Sequence, residues 1–436
     1  MYSILSTYQN PGVEVVSTLI QRPQMDFAEI QHLIEDIFNK VENQGDRALE
    51  HYSELYEGFR PEEIKLRLQE MKSIGEFIRP DLKQSILQAA KNIRVFHEAQ
   101  ISDRIERETM PGVRCWMEER PIEKVGLYIP GGSAPLFSTV LMLAIPAIIA
   151  GCKEIVLCSP PQKEYGTIHP AVLYSAQICG VTTFCQVGGA QAIAAMSTGT
   201  ESVPKVDKIF GPGNQYVTAA KRYAFLKGIA IDMPAGPSEL LVFADETSQP
   251  AFVAADLLSQ AEHGEDSQVV LVSTDDKRSH EIQQELEKQL LTLPRKQIAA
   301  ESLKKSFAVI INDLNEAFHF INRYAPEHLI LATDQAESLL DKVENAGSVF
   351  VGHYTPESAG DYASGTNHTL PTSAAARAFS GVNLQSFTKK ISFQQINRQG
   401  LQGLAKTITT MAREEHLEAH ARAIDIRISS LKHLSQ

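Results

Sequence analysis

The chain has 436 residues, of which 43% are hydrophobic and 22% are charged, and it carries a formal net charge of -12. This length allows two or more cores, and the composition is ordinary for a soluble globular protein. The acidic balance argues against a nucleic-acid surface, which needs clustered Lys and Arg. The longest apolar run, residues 140–150, contains Pro146 and is too short to span a bilayer. Neither nucleic acid nor a membrane is therefore an expected partner.

The five cysteines include no C-x-x-C pair. An odd number without paired spacing argues against a disulfide framework and against a cysteine zinc site. Cys158 and Cys185 lie in apolar, strand-like runs, which favours core positions; a reactive thiol is the alternative. The N-terminus lacks a basic segment followed by an apolar one, so no signal peptide is expected. These features predict a cytoplasmic protein.

Residues 1–25 do not join the helical pattern that follows them and are predicted to form an N-terminal arm. From residue 26 to about residue 100 helical patterns dominate, and apolar positions within residues 27–37 line one helix face. We assign residues 26–123, together with residues 239–381, to a first, discontinuous α/β domain.

Between residues 124 and 238 the pattern changes to strand, turn and helix, repeated four times. Strands are predicted at residues 125–129, 155–158, 184–187, 208–210 and 229–233. Such alternation is typical of a doubly wound parallel sheet. Residues 124–238 are therefore assigned to a second α/β domain.

Ligands of doubly wound sheets bind at the carboxyl ends of the strands, where the glycine turns lie. The turns at Gly132, Gly189 and Gly213 precede helices whose N-termini could bind anions. None of them reads G-x-G-x-x-G, so the standard dinucleotide fingerprint is absent. In isolation, each turn is more often a plain connection than a phosphate site.

The first domain has further predicted strands, with helices between most of them, at residues 240–243, 269–272, 309–311, 329–331 and 349–351. The chain after residue 387 is mostly helical, and we assign residues 382–436 to a C-terminal tail. The predicted fold class is thus α/β, with two doubly wound, Rossmann-like domains that lack the G-x-G-x-x-G fingerprint.

Residues 353–372 contain Glu357, Asp361, Asn367 and His368 among glycines and prolines that interrupt any regular period. A long polar loop within a compact chain is usually functional or disordered. Apolar residues spaced through the segment, and the strand-like run that leads into it, argue against disorder. We interpret this segment as an active-site loop.

Gln260 and His263 lie near the end of a helix that begins at Pro250 and runs to Gly264. At a spacing of three residues they share a helix face, so an amide oxygen and an imidazole nitrogen could bind one ion. In isolation such a pair is more often a solvated or capping pair than a metal site.

Two further places combine acids with imidazoles. Glu327 and His328 lie at the entrance of an apolar strand, where an acid beside an imidazole suits proton transfer. Adjacent strand residues point to opposite faces, so the two act together only if the backbone bends; the alternative is an exposed turn. Glu415 and His420 lie in the tail, where the alternative is a charged helix surface.

Several long motifs occur along the chain, namely GLYIPGGSAPLFSTV, VGGAQAIAA, KIFGPGN, IDMPAGPSE, DLLSQAEHG, YAPEHL, AGSVFVG and PESAGDYASGTNHTLPT. In this order they resemble the histidinol dehydrogenase family over nearly the whole chain. The resemblance implies oxidation of L-histidinol to L-histidine through L-histidinal, with four electrons passing to NAD, in the last steps of histidine biosynthesis. It also implies one zinc ion per site and a homodimer that exchanges its tails and shares its active sites.

The resemblance assigns roles to single residues. The zinc ligands would be Gln260, His263, Asp361 and the partner subunit's His420. The catalytic residues would be His328, as general base for the hydroxyl proton, and Glu327, which would activate the water that attacks the aldehyde. The substrate would contact these six residues and also Ser238, His368 and Glu415. The NAD contacts would be Tyr128, Gln191 and Asn214, and the family binds NAD without the glycine fingerprint.

Two other functions are compatible with these motifs. A relative could use the same zinc and NAD scaffold on another amino alcohol or a polar diol, although Glu415 and His420 in a complete tail favour histidinol. A regulatory protein could bind a metal or a nucleotide without catalysis. The intact pair of Glu327 and His328 argues against it, because binding alone needs neither a base nor a water activator.

Overall fold

The computed structural model describes residues 4–22, 27–66, 74–131, 135–233 and 236–433, with the backbone alone at residues 27–29 and 432–433. Within these residues the chain forms fourteen strands and fifteen α-helices. It divides into two compact units, one of Met1–Gln100 with Ile122–Phe387 and one of Ile101–Pro121 with Thr388–Gln436. The predicted turn at Gly132 lies outside the described residues.

The elements follow in chain order. The strands are β1 (Ser6–Gln9), β2 (Ile105–Met110), β3 (Val113–Pro121), β4 (Lys124–Tyr128), β5 (Glu154–Ser159), β6 (Thr183–Gln186), β7 (Lys208–Phe210), β8 (Ala230–Ile231), β9 (Glu239–Ala244), β10 (Gln268–Ser273), β11 (Phe307–Ile310), β12 (His328–Ala332), β13 (Ser348–Val351) and β14 (Thr388–Ile396). The α-helices are α1 (Val13–Leu19), α2 (Phe27–Gln44), α3 (Asp46–Tyr52), α4 (Pro80–Glu98), α5 (Phe137–Ala150), α6 (Pro170–Cys179), α7 (Gly189–Thr198), α8 (Gln215–Leu226), α9 (Pro250–Ala261), α10 (Asp276–Leu290), α11 (Lys296–Leu303), α12 (Leu314–Tyr324), α13 (Glu357–Tyr362), α14 (Arg398–Glu414) and α15 (Glu418–His433). Shorter helical segments cover Ser53–Glu57, Ile74–Phe77, Ala336–Lys342, Ala375–Arg377 and Leu384–Phe387.

The larger sheet of the first unit has six parallel strands in the order β1-β11-β10-β9-β12-β13. Strands β9 and β12 are buried along their whole length. Continuous apolar strands suit a parallel sheet that is covered on both faces. The helices supply that cover, with Leu257 and Ile282 in the core on one face and Phe318 and Ile321 in the core on the other.

The smaller sheet of the first unit has five parallel strands in the order β6-β5-β4-β7-β8. The predicted strands between residues 124 and 238 are confirmed within a few residues, and so is the fold class of α/β with parallel sheets. When the N-terminal edge strand β1 is left out, the first strand of each sheet, β4 or β9, lies between the second and the fourth. Doubly wound sheets reverse their strand order at this point.

Helices α2 to α4 pack on the smaller sheet. Ile34 and Phe38 of α2 share a core with Ile193 of α7, and Ile86 and Ile93 of α4 belong to the core beneath α5. The predicted boundaries grouped residues 26–123 with the larger sheet instead, so the structure corrects this grouping. An amphipathic helix shows which of its faces is buried, but not which sheet buries it.

The N-terminal segment is part of the larger sheet rather than a separate arm. Strand β1 pairs in parallel with β11, from Ser6 opposite Phe307 to Gln9 opposite Ile310. The Leu5 side chain is fully buried in the core of that sheet. Four residues are too few to give a clear pattern in the sequence, and the edge position leaves them largely exposed.

The second unit combines an antiparallel sheet with two helices. Strand β3 lies between β14 and β2, and the rings of Trp116 and Phe393 stack with centroids 5.3 Å apart. Helices α14 and α15 form the predicted helical tail. Before them, residues 388–396 of the assigned tail form a strand that pairs with β3 and was not predicted.

The apolar run at residues 140–150 lies in the buried helix α5, and Pro146 is inside that helix. Its side chains share a core with Leu127 and Leu157 of the smaller sheet. None of the described helices combines the length and the hydrophobicity that a membrane span requires.

Candidate active site

The segment of residues 353–372 is not entirely irregular, because α13 forms within it after Pro356. Asp361 lies in the last turn of this helix, and the chain then returns so that His368 Nδ1 lies 2.9 Å from the Asp361 carbonyl oxygen. The other ring nitrogen of His368 lies 3.1 Å from Thr139 Oγ1. These contacts fix the orientation of the His368 ring.

Gln260 in the last turn of α9 and His263 in the turn that follows come together, although the helix ends at Ala261 and not at Gly264 as predicted. Gln260 Nε2 lies 3.0 Å from His263 Nδ1. The Gln260 side chain is completely buried, and its Oε1 atom has no hydrogen-bond partner among the described residues. An amide oxygen that is buried without a hydrogen-bond donor destabilises the folded protein. A bound cation would satisfy this oxygen.

Asp361 lies between two imidazoles. Its Oδ2 atom is 4.0 Å from His263 Nε2, and its Oδ1 atom is 3.8 Å from His328 Nε2. His263, Asp361 and Glu357 each offer a ligand atom, and these three atoms lie within 4.8 Å of one another. Nitrogen and oxygen donors in this arrangement are compatible with zinc.

Glu327 and His328 both contact the backbone of Glu239. Glu327 precedes β12 and accepts a hydrogen bond of 2.8 Å from the Glu239 N–H group. His328 is the first residue of β12, and its Nδ1 atom lies 3.1 Å from the Glu239 carbonyl oxygen. A carbonyl can only accept, so Nδ1 carries the proton and Nε2, which faces Asp361, carries the lone pair. Both side chains are buried, so this pair does not lie in an exposed turn, which was the alternative that the sequence left open.

Burial sets the charge of these groups. It lowers the pKa of His328 to about 3 and that of His368 to about 4, and nearby imidazoles add to both shifts. It raises the pKa of Asp361 to about 7 and the pKa values of Glu327 and Glu357 well above the usual range. Buried carboxyl groups that hold protons in this way would ionise more readily beside a bound cation.

Glu357 is the site residue that the sequence did not single out as a ligand or catalyst. Its Oε1 atom lies 3.7 Å from His328 Nδ1 and has no hydrogen-bond partner among the described residues. Its Oε2 atom accepts a hydrogen bond of 3.4 Å from Ser259. Its position in the first turn of α13, four residues before Asp361, is the only signal in the sequence that could have found it.

The site lies at the amino ends of the larger sheet. Ser238 directly precedes β9, Glu327 directly precedes β12, and α9 ends beside them before β10 begins. The expectation that ligands bind at carboxyl ends therefore does not hold for this sheet. Glu415 follows the last residue of α14 and His420 lies in α15. Both belong to the second unit, and their part in the site stays a prediction.

The predicted NAD contacts lie at the carboxyl ends of the smaller sheet. Tyr128 ends β4, and its hydroxyl accepts a hydrogen bond of 3.1 Å from the Gly189 N–H group. Gln191 lies in the first turn of α7, and Asn214 caps α8 by accepting from two backbone N–H groups at 3.1 Å. A Cβ atom at Gly211 would overlap the Tyr128 carbonyl, so this turn requires glycine.

A second carboxyl group missed in the sequence, Glu57, lies beside this turn. Its Oε1 atom accepts hydrogen bonds from the Gly188 N–H group at 3.1 Å and from Gln191 Nε2 at 3.4 Å. Burial raises the pKa of Glu57 to about 7. Residues 53–57 carry no motif that would have indicated this contact.

The cysteines are free, as expected, and four of the five are buried. Burial raises the pKa values of the Cys152 and Cys179 thiols to about 12. The pKa of Cys158 also lies well above its usual range, because of its contact with Cys185 and its burial. Thiols of this kind are packing residues rather than nucleophiles.

Two parallel sheets covered by helices, with a cluster of acids and imidazoles at one of them, define an α/β protein that has the donors to hold a metal ion. The profile of the family described as histidinol dehydrogenase matches residues 20–428. A histidinol dehydrogenase of Bacteroides thetaiotaomicron is 52% identical over 422 residues, which are 97% of this chain and 98% of the relative.

A histidinol dehydrogenase of Yersinia pestis is 49% identical over 433 residues, which are 99% of this chain and 97% of the relative. The crystal structure of histidinol dehydrogenase from Elizabethkingia anophelis is 50% identical and matches with a TM-score of 0.96, covering 99% of this chain and 100% of that chain. The chain belongs to the histidinol dehydrogenase family and is an oxidoreductase of histidine biosynthesis.

Proposed function

We propose that the protein catalyses the zinc-dependent, NAD-linked, four-electron oxidation of L-histidinol to L-histidine through L-histidinal. The observation that carries this proposal is the convergence of Gln260, His263 and Asp361 beside His328, whose unprotonated Nε2 atom faces the group. The family supplies the substrate, and the pocket supplies the donors and the base that the reaction needs.

The metal would be held by Gln260, His263, Asp361 and the partner subunit's His420. The unpartnered Gln260 Oε1 atom and the close approach of His263 to Asp361 support this set. When bound, the zinc ion would hold the imidazole and the amine of the substrate and so fix its position. Ser238, His368 and Glu415 would also contact the substrate, and Glu415 would pair with its ammonium group.

His328 acts as the general base of the first oxidation. The low pKa of its buried ring keeps the imidazole neutral at physiological pH. The bond from Nδ1 to the Glu239 carbonyl leaves the lone pair on Nε2, on the side of the metal ligands. The hydroxyl proton of the substrate passes to this nitrogen as the hydride leaves the carbon.

Glu327 prepares the second oxidation by activating water. Its buried carboxyl group has a raised pKa, which makes its carboxylate a stronger base than an exposed one. It takes a proton from the water that adds to the aldehyde, and the resulting diol loses a second hydride to give the acid. The Glu239 N–H bond to Oε2 fixes the orientation of this carboxyl group.

NAD would bind at the carboxyl ends of the smaller, Rossmann-like sheet and, when bound, would supply the hydride acceptor for both oxidations. Tyr128, Gln191 and Asn214 would contact it. The glycine turns before α7 and α8 support this location, because their backbone can approach a ligand closely. The larger sheet is Rossmann-like in its strand order, but its functional residues lie at the opposite ends of its strands.

The working form would be a cytoplasmic homodimer with exchanged tails and shared sites. Five free cysteines fit a reducing compartment. The Glu415 and His420 side chains are exposed in the single chain, which suits residues that act on a partner subunit.

Steady-state turnover tests this function directly. Zinc-loaded protein supplied with L-histidinol and NAD is expected to form about two NADH per histidinol, because each hydride carries two electrons. A strong chelator should abolish turnover, and added zinc should restore it. An amino alcohol without an imidazole serves as the control and should give no NADH. A zinc-loaded dimer that forms no NADH from histidinol would contradict the proposal.

A further inference from the structure

The two catalytic side chains depend on a single backbone unit. The Glu239 N–H group holds the Glu327 carboxyl group, and the Glu239 carbonyl oxygen holds the His328 imidazole. Any shift of Glu239 therefore changes the orientation of the base and of the water activator at the same time. The start of β9 consequently has to be fixed more firmly than an ordinary strand end.

A buried ion pair fixes the Glu239 side chain. Arg22 Nε donates to Glu239 Oε1 at 2.8 Å, and Arg22 Nη2 donates to Oε2 at 2.9 Å. The side chains are 8% and 3% exposed, respectively. A bidentate pair of this kind is geometrically specific, because the planar fork of Arg matches a carboxylate. Glu239 Oε1 also accepts a hydrogen bond of 3.0 Å from the Ser373 N–H group.

The Arg22 guanidinium also makes contacts other than those with Glu239. Its Nη1 atom donates to the Ile20 carbonyl at 2.8 Å, and Nη2 also donates to the Tyr324 carbonyl at 2.9 Å. The guanidinium carbon lies 3.3 Å from the centre of the Tyr324 ring. The N-terminal segment thus holds the Arg22 guanidinium in a fixed orientation against Glu239, the residue after the predicted substrate contact Ser238.

We propose that Arg22 and Glu239 are positioning residues that hold Glu327 and His328 in their working orientations through the backbone of Glu239. This inference rests on the proposed roles of Glu327 and His328. It gives Arg22 of the N-terminal segment a positioning role, although Arg22 contacts neither catalytic side chain.

Three variants separate positioning from plain stability. Arg22→Met leaves the Glu239 carboxylate buried and unpaired, which destabilises the fold as well as the site. The double variant Arg22→Met/Glu239→Gln removes both charges, so its thermal unfolding midpoint should return towards that of the parent. Neither Met nor Gln can restore the bidentate clamp. The control Asn10→Ala removes a contact of the same segment to Asn312 and should keep parental activity.

The expected result is that kcat falls about 10- to 100-fold in the double variant for both histidinol and supplied histidinal, because misplacement by about 1 Å has this effect. The zinc content and the KM for NAD should stay at the parental values, since neither residue contacts those sites. Recovery of kcat together with the unfolding midpoint would show that the pair is structural only and would overturn the inference.

Reference variants separate this inference from the proposed function. Glu327→Gln and His328→Asn should each lose activity in the same assays. If they do while the stable double variant keeps parental kcat, the positioning role alone is wrong. If they keep activity, the catalytic assignment that the positioning role requires is wrong, and both conclusions fall.

Discussion

The His328 imidazole meets two requirements of a general base through two separate causes. Burial keeps its pKa low, so the ring needs no deprotonation before it reacts. One hydrogen bond selects the tautomer, because the Glu239 carbonyl can accept only from a protonated Nδ1 atom. Glu327 depends on the same residue through its N–H group, so the backbone of Glu239 orients both the carboxyl group and the imidazole.

We expect Glu327 and His328 to control different steps. His328→Asn should slow the first oxidation by about 10²- to 10⁴-fold, the usual contribution of a general base. Glu327→Gln should still form the first NADH of a single turnover, but formation of the second NADH should be slower by a similar factor. Stopped-flow NADH formation from histidinol and from supplied histidinal measures both steps.

The matched control for these variants is His280→Asn. His280 is an exposed histidine of α10, outside the predicted active-site segment, and its Nε2 atom lies 3.0 Å from Gln284 Nε2. Its substitution should leave both steps unchanged. Parental rates for Glu327→Gln with both substrates would exclude its role in water activation.

Single residues were predictable from the sequence where local spacing determines a contact. Gln260 and His263 meet because the turn after α9 keeps residues three apart close together, with the His263 N–H group donating to the Gln260 carbonyl. Glu357 was recognised only as part of the active-site segment, and Glu57 not at all, since their importance comes from burial beside residues distant in the chain. The buried pair of Arg22 and Glu239 could not be predicted for the same reason, because its members are 217 positions apart.

Among the elements, the start of helix α7 contains an unusual contact. The short helical segment Ser53–Glu57 places the Glu57 carboxyl group on the Gly188 N–H group, in front of the first turn of α7. The partial positive charge of a helix N-terminus favours an anion there. Burial opposes the charge more strongly, and the pKa of Glu57 rises to about 7.

The raised pKa predicts a specific dependence of stability on pH. Between the unfolded pKa of about 4.3 and the folded pKa, the folded protein keeps a proton that the unfolded chain has lost, so this group lowers the free energy of unfolding as pH rises. Glu57→Gln lacks this titration. The free energy of unfolding of Glu57→Gln, relative to that of the parent, should rise by on the order of 1 kcal/mol from pH 5 to pH 8, after allowance for partial exposure.

Urea unfolding midpoints of the parent and of Glu57→Gln across this range measure the effect. Glu54→Gln, an exposed position on the same short segment, is the matched control and should follow the parent at every pH. Parallel pH profiles for the parent and Glu57→Gln would contradict a raised pKa at this carboxyl.

The buried parallel strands were predictable because each one is a short apolar run between turns. Strands β2, β3 and β14 were not, since their sequences are rich in charged and polar residues without a sustained alternation with apolar ones, and they remain largely exposed. Their stability comes from pairing with one another, as in the register from Thr388 opposite Pro121 to Ile396 opposite Val113. The pairing of β3 with β14 joins segments that are far apart in the chain, which leaves no local signal.

For the molecule as a whole, the alternation of strands and helices determined the class of fold but not the grouping of its segments. Residues 27–98 could cover either sheet on the basis of their helical faces, and they cover the smaller one. The two sheets also place their functional residues at opposite strand ends, carboxyl ends in one and amino ends in the other. Strand order alone does not decide which ends are used.

The proposed sharing of active sites between subunits predicts complementation between two inactive variants. His263→Ala removes a ligand from the first unit, and His420→Ala removes the ligand that the tail would supply. In a mixed dimer, one site combines an intact first unit with an intact tail, and the other site carries both defects. Random exchange of subunits should therefore recover about a quarter of the parental activity, because half of the dimers are mixed and each has one working site.

The same experiment identifies the subunit that supplies the tail. If each chain used its own His420, both sites of every mixed dimer would lack one ligand, and mixing would restore nothing. Mixing His263→Ala with Asp361→Ala is the matched control, since both changes fall in the first unit and no combination of tails repairs a site. Recovery in the first mixture and none in the second would require a site built by two chains.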